Sequence, residues 1–525
     1  MGSDIFHFDL EPSDVDRVRV EHAYMIARRG WPIEADIGLD DSGRRIVCRI
    51  DEPGGLANSA ALVLQVELPG IGNLKLRTTL LPPRAEPYDL MLELARERMR
   101  HFLHKCEDWQ MFAPGIAIEA FARFEQGRAR LAEAVLAPDR ASEVALAREA
   151  VVAAVQAGEM LARNYADGLL HARYGASAAS ETALGFRVDP RVPPPAEDLP
   201  EFREFGVVMI ETPWNVVQPE QGRFEFECID LWIDWARRHQ RPVLLGPLVD
   251  LRPEAIPEWA RSARDDYSSF CRLIWEHQEQ VVARYAEHVA IWCVASGVHV
   301  NRFAPLTHEQ MIDLTRRSAV LVRQARRSAK VLVELVQPFD DQVGQFRDSV
   351  RGYEYAVRAL DEGVHIDCFG LCFECGLNRN GSEARDLLSF SDAIDGMGRL
   401  DRPMMITGFC APAGSDEPEA GSWIEPWTPE RQANWASTMF GIILGKMTHR
   451  GDTARGARVG VVESVLWSRF QESEGEPPLG LLDATGAPRR VLAQLAAVRR
   501  VIRRPIGRSA GRQSPLANHS EGARK

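Results

Sequence analysis

The chain predicts an α/β protein: a (β/α)8 TIM barrel preceded by a small antiparallel β-sandwich-like domain and a helical region. Three observations carry this. Residues 18–83 alternate polar and apolar around turn signals, residues 88–174 repeat apolar positions at three and four, and short apolar runs then alternate with helical patterns to residue 500. At 525 residues the chain is long enough for several cores.

In the first region IGLDDSGRRIVCRI turns around Asp-Ser-Gly, and SAALVLQVEL and NLKLRTTLL follow with Pro-Gly and Gly-Asn turns between them. This places a β-rich domain at 1–85. LMLELARERMRHFLHKCEDW and EVALAREAVVAAVQAGEMLARNYADGL are amphipathic, placing a helical hairpin or arm in 86–189. PRVPPPAEDLP, 190–200, reads as a stiff linker because consecutive prolines hold the chain extended. Seven apolar runs follow: FGVVMIE, PVLLGPLVD, VAIWCVAS, KVLVELV, DCFGLCFE, PMMITGF and VGVVESVLW, with an eighth strand expected just before Phe205. A βαβα succession of this kind closes into a parallel barrel over 201–502, with ligand sites at the strand C-termini. The tail 503–525 is polar and basic without apolar period, the pattern of a disordered segment.

A net charge of -12, with Lys and Arg scattered along helices, argues against a nucleic-acid partner. No run approaches eighteen apolar residues, and MGSDIFHFDLEPSD lacks the basic-then-apolar order of a secretory leader. Nine dispersed cysteines point to reduced thiols, hence a cytoplasmic protein. Cys372 and Cys375 have no second pair to complete a zinc site, and no metal or cofactor is expected.

VVMIETPWNVVQPEQGRFEFECIDLWIDWARRHQRPVLLGPLVDLRPEAIPEWA resembles the second and third strand units of glycoside hydrolase family 10, the xylanases. The matching steps are Pro219 to Phe226, Asp230 to Ala236, and Pro257 to Trp259. VVARYAEHVAIWCVAS, MMITGF and SVLWSRF with GLLDATGAPRRVL are similar to the family's fourth, seventh and closing strands. The resemblance implies a retaining enzyme with two glutamates ~5 Å apart at the ends of strands four and seven. Here those positions fall on Gly297 and Gly408. The family's Lys falls on Pro213, its His near Pro247 or Leu248, and its Gln-x-His on Cys372 and Glu374. The resemblance therefore implies an oligosaccharide or polysaccharide ligand and a barrel that has lost its standard catalytic pair.

Glu374, Glu211 and Asp250 each end a strand and are the surrogate candidates for an acid and a nucleophile, Glu374 first; the alternative is that they pair with Arg379, Arg302 or Arg469. His299 and Asn301 follow the fourth strand as candidate sugar hydrogen-bonding groups. Trp214 and Trp467, with Trp423 and Trp427 in the acidic loop of Asp416, Glu417 and Glu419, are candidate stacking platforms for sugar rings, or caps on the barrel. Three functions follow: glycan binding without cleavage, hydrolysis by relocated carboxylates, or a protein-interaction scaffold using the helical arm.

Overall fold

The computed structural model describes residues 4–27, 32–50, 59–113, 115–174, 178–195, 199–344, 346, 348–379, 381–415, 417, 420–424, 426–446 and 462–503. The N-terminal strands are β1 (Asp4–Asp9), β2 (Val18–Ala27), β3 (Pro32–Ile33), β4 (Asp36–Leu39), β5 (Arg45–Ile50), β6 (Ala60–Leu68), β7 (Gly72–Arg77) and β8 (Tyr88–Asp89). They form two four-stranded sheets, β4-β5-β1-β8 and β3-β2-β6-β7. Alternation decides the faces. Phe6, Phe8, Ile46, Cys48, Leu62 and Leu64 turn into the sandwich core, while Tyr24, Ile26, Ala61 and Val63 form a separate apolar cluster.

Three helices follow: α1 (Leu90–Asp108), α2 (Ile118–Val135) and α3 (Arg140–Tyr174). Asp89 caps α1 by accepting from Leu92 N at 3.0 Å. The region is a three-helix layer rather than a hairpin, and α3 packs on barrel helices.

The barrel strands are β9 (Leu184–Val188), β10 (Val207–Ile210), β11 (Val243–Leu245), β12 (Ile291–Ser296), β13 (Lys330–Val336), β14 (Cys368–Glu374), β15 (Met404–Cys410) and β16 (Val462–Trp467). They run parallel in chain order, and β16 closes onto β9. The helices between and after them are α4 (Trp214–Val217), α5 (Glu227–Arg238), α6 (Tyr267–Tyr285), α7 (His308–Ala325), α8 (Gly352–Asp361), α9 (Leu387–Gly398), α10 (Pro429–Gly445) and α11 (Arg490–Ile502).

The first strand corrects two expectations. It is LGFRV at 184–188, not a run just before Phe205, so the barrel begins inside the predicted helical region. The proline-rich stretch is then the loop leaving that strand rather than an interdomain linker, and only a 3-10 turn, Pro200–Glu204, stands where the first helix would be. Prolines supply no N–H for a helix, and Arg187 interrupts the apolar run that would announce the strand.

Inside the barrel, Val207, Met209, Leu244, Cys293, Leu332 and Met405 fill the lower layer. Period-two alternation places the next inward residues, Arg187 and Glu334, above them. The expected disordered tail lies outside the described residues beyond Arg503. No helix among the described residues is long and apolar enough to cross a membrane.

The sandwich and barrel share a bonded seam. Lys75 N donates to Ala384 O at 2.9 Å, and Asn73 N to Ser422 Oγ at 3.0 Å. Beneath them the buried Lys75 ammonium bridges Asp341 at 2.9 Å and Glu383 at 3.0 Å.

Candidate functional site at the barrel mouth

The polar layer above the apolar floor is built on Arg187. Its guanidinium contacts Glu211, the residue after β10, and donates to Glu334 Oε1 at 2.8 Å. Ser296 Oγ donates to Glu334 Oε2 at 2.5 Å. Burial works against the Glu334 carboxylate, but Arg187, with the Ser296 and Thr407 hydroxyls, outweighs it and holds the group below the usual carboxylate range. The charge is compensated where it sits, so this layer is a structural ion cluster.

Around it, the strand-end acids are clamped by loop arginines. Asp189 accepts from Arg191 N at 3.0 Å and pairs with the Arg191 guanidinium, with Arg469 at 3.7 Å. Asp250 repeats the arrangement: Arg252 N donates at 3.0 Å and its Nε and Nη2 at 2.9 and 2.5 Å. Glu374 lies 3.1 Å from Arg379 and accepts from Ser382 Oγ at 3.3 Å. In each pair the arginine is the more exposed partner: 60% against 5% for Arg191 and Asp189, 44% against 4% for Arg252 and Asp250, 55% against 27% for Arg379 and Glu374. The rim therefore presents guanidinium donors with carboxylates beneath them. Arg302, the third expected partner, lies instead over the Phe346 ring.

A larger residue would be strained by the backbone at Gly297, and at Gly408 would have to turn two side-chain tips aside. Gly297 has φ +60°, a left-handed backbone, and a Cβ there would meet Val336 Cγ2 at 3.0 Å. At Gly408 a Cβ would stand 2.7 Å from Ser468 Oγ and 2.8 Å from Cys372 Sγ. Cys372, on a position of the family's Gln-x-His, thus helps fill the space beside the strand-seven end. Burial pushes the neighbouring Cys410 thiol up to about 12, which keeps it protonated.

The remaining sequence candidates serve packing in this structure. Trp214 is buried against Trp259 and His277, and its Nε1 donates to Gln218 Oε1 at 2.9 Å. Trp467 is fully buried, donating to Leu479 O at 2.7 Å. Trp423 donates to Glu159 of α3 at 3.2 Å, and Trp427 to Gly421 O at 3.0 Å. Their loop docks on the sandwich edge: Ser422 N donates to Asn73 O at 3.0 Å and Ile424 N to Ile71 O at 2.5 Å. These four indoles are buried, which fits the second of the two expected roles, caps and seam contacts, rather than stacking platforms. Asp416 and Glu419 of that loop lie outside the described residues.

His299 is fully buried beside Tyr355, with Nε2 3.0 Å from Val336 O; burial lowers its pKa to about 4. Asn301, with φ 52°, ties its own loop by donating to Leu306 O at 2.9 Å and Asp348 O at 3.0 Å. Neither reaches the mouth as a sugar ligand. A cavity beside Trp214, Pro247 and Asp250 holds about 10 Å³, at most one water.

Sequence reasoning passed over Arg187, Asp189, Arg191 and Arg252. The signal was present: Asp-x-Arg recurs at 189–191, directly after β9, and at 250–252, where Asp250 bridges to Ser296 beyond the end of β11. Among the described residues, no group of three His, Cys, Asp or Glu is placed to hold a metal ion.

No family model matches the chain. A curated relative, Endo-1,4-beta-xylanase B of Humicola insolens, is 27% identical over 95 residues, which are 18% of this chain and 26% of that protein. The chain thus spans about a quarter of the length of that relative. Similar solved structures include xylanase 10B from Thermotoga petrophila RKU-1 in complex with xylobiose, at 16% identity, TM-score 0.43, covering 64% of this chain and 96% of that one. The GH10 structure from Paenibacillus barcinonensis is 16% identical with TM-score 0.44, covering 60% and 94%. A GH10 endoxylanase retrieved from a sugarcane soil metagenome is 13% identical with TM-score 0.45, covering 60% and 97%.

Proposed function

We propose that the barrel is a xylanase-like glycan-binding protein that does not cleave its ligand by double displacement. The observation that carries this reading is glycine at both positions, Gly297 and Gly408, where the resemblance expects a glutamate. A retaining hydrolase needs a nucleophile and an acid/base on opposite sides of one bond; here neither glycine supplies a carboxylate, and Gly297 adopts a left-handed backbone that disfavours glutamate. The surrogate carboxylates do not replace the pair. Asp250 and Glu374 are bonded to Arg252 and Arg379, and Glu211 to Arg187.

Ligand binding is supported by the rim. Arg191, Arg252, Arg379 and Arg469 offer planar donors over carboxylates, a chemistry that suits sugar hydroxyls and ring oxygens. The resemblance to family 10 makes a β-1,4-linked oligosaccharide the first ligand to try.

The test is a mass-spectrometric time course with reducing-end-labelled β-1,4 xylo-oligosaccharides, run beside calorimetric titration. Intact oligosaccharide with measurable binding, weakened in Arg379→Ala, is expected. Cleavage by the wild type that disappears in Glu374→Gln would replace this reading with hydrolysis by relocated carboxylates. Binding of none of the series would remove the glycan.

A second reading, protein contact through the helical layer, is favoured by exposed apolar residues at its ends. Phe112 is 54%, Ile118 67% and Leu136 82% exposed. Light scattering of the wild type against Phe112→Asp with Ile118→Asp tests it; an unchanged mass would remove self-association.

A further inference from the structure

Segment 420–424, in the loop after β15, touches all three parts of the molecule. On the barrel side Ala384 N donates to Ala420 O at 3.2 Å, and on the sandwich side Ser422 N and Ile424 N donate to Asn73 O and Ile71 O. Trp423 Nε1 reaches the helical layer, donating to Glu159 Oε2 of α3 at 3.2 Å. The backbones interlock: a Cβ at Gly72 would stand 2.2 Å from Ser422 O, and one at Gly421 2.6 Å from Asn73 O. Packing that close favours a docked and an undocked arrangement over intermediates.

Two features work against docking. Ile424 has φ 71°, a left-handed backbone that a β-branched residue adopts only at a cost. Beneath Trp423, Glu159 is a buried acid without a close cation. Its side chain is 11% exposed, and its oxygens accept from two neutral donors, the indole and Leu387 N, the latter at 2.7 Å. Its nearest cation among the described residues, Arg163, stands 3.6 Å away and is 39% exposed. Glu334 and Asp341, by contrast, have cations at 2.8 and 2.9 Å.

The groups facing Glu159 come from several elements. Arg163 shares α3 and lies over the Trp423 ring at 5.8 Å. Asp386, buried just before α9, repels the carboxylate; Arg98 and His101 of α1 act on Asp386 in turn, and burial keeps the Cys375 thiol after β14 protonated. Residues 420–424 carry no charge. Burial comes first, and with Asp386 it outweighs Arg163, raising the Glu159 carboxyl to about 7. The docked seam therefore favours the neutral acid, whereas lifting Trp423 would admit water to an ionised one.

We propose that 420–424 is a pH-sensitive latch clipping the sandwich and helical layer to the barrel, docked while Glu159 is protonated and lifting as the carboxyl ionises. Docking is strongest below the ordinary carboxyl value and is lost as pH rises through 7. The latch stands whether or not the mouth binds a glycan.

Hydrogen exchange on the full chain, read by mass spectrometry, tests it, because docking protects the Ser422 and Ile424 amides. After correction for intrinsic exchange, opening of peptides spanning 420–424 should rise about thirtyfold between about pH 5.5 and about pH 8.5, with β13 constant. Glu159→Gln should abolish the rise. Arg163→Met keeps an apolar stem over the indole and removes the charge; it should raise opening several-fold at alkaline pH and leave it unchanged at acid pH. That variant decides the matter if Glu159→Gln does not fold. Constant protection in the wild type, a rise that survives in Glu159→Gln, or unaltered alkaline opening in Arg163→Met would each overturn the proposal.

Discussion

The barrel mouth and the seam beneath the sandwich are built from the same materials, buried cations bridging two carboxylates, yet they end differently. At the mouth Arg187 bridges Glu211 and Glu334, and the neighbouring cavity holds about one water. At the seam Lys75 bridges Asp341 and Glu383, and a cleft of about 720 Å³ remains beside it. The difference is one of packing: at the strand ends acids and guanidinium groups meet at close range, whereas a concavity is left where the sandwich meets the barrel flank.

The comparison breaks first on buried charge. Glu334→Ala and Lys75→Ala each leave opposite charges uncompensated, and each should cost about 3–5 kcal/mol in urea denaturation. A loss below about 1 kcal/mol at Lys75 would mean that the seam is a loose contact rather than part of the folded unit.

The two regions should next separate by pH. Glu159 of α3, which accepts from Leu387 N and Trp423 at the seam, is raised by burial from near 4.5 to about 7. A raised carboxyl stabilises the fold below its unfolded value, and that contribution is lost as pH climbs through 7. His299 near the mouth is lowered by burial from near 6.5 to about 4. Its contribution is present above pH 6.5 and is lost as pH falls through 4. Each is worth up to about 3 kcal/mol. Denaturation midpoints against pH should therefore lose the alkaline-side decline in Glu159→Gln and the acid-side decline in His299→Gln; unchanged profiles would refute the assignments.

Placing carboxylates at the two glycines sharpens the contrast at smaller cost. Gly408→Glu must displace Ser468 or Cys372, and Gly297→Glu must hold a left-handed backbone, at about 1–3 kcal/mol each. The double variant should melt lower and still leave labelled oligosaccharides intact. Arg469→Ala is the smallest expected effect. Its 3.7 Å pair with Asp189 is partly exposed and worth less than about 1 kcal/mol, so its loss should register in glycan titration rather than in the melt.

Legibility followed burial. Strands such as KVLVELV and PMMITGF were readable because an inner strand is apolar on both faces. LGFRV was hidden because Arg187 looks like a surface residue until its partners 24 and 147 positions away are known. Trp423 and Trp427 read as open platforms or as caps, since an indole suits both. The sandwich edge that receives their loop lies about 350 residues earlier, Asn73 to Ser422.

The sequence by itself determined the succession of elements, the barrel class, and the absence of glutamates at 297 and 408, because periodicity and residue identity are local properties. Only the tertiary structure decided that the strand-end carboxylates are clamped, that the tryptophans are buried, and that the open space lies at the seam. Those depend on which distant side chains share one volume, and charge compensation and burial are set by that neighbourhood rather than by any stretch of chain.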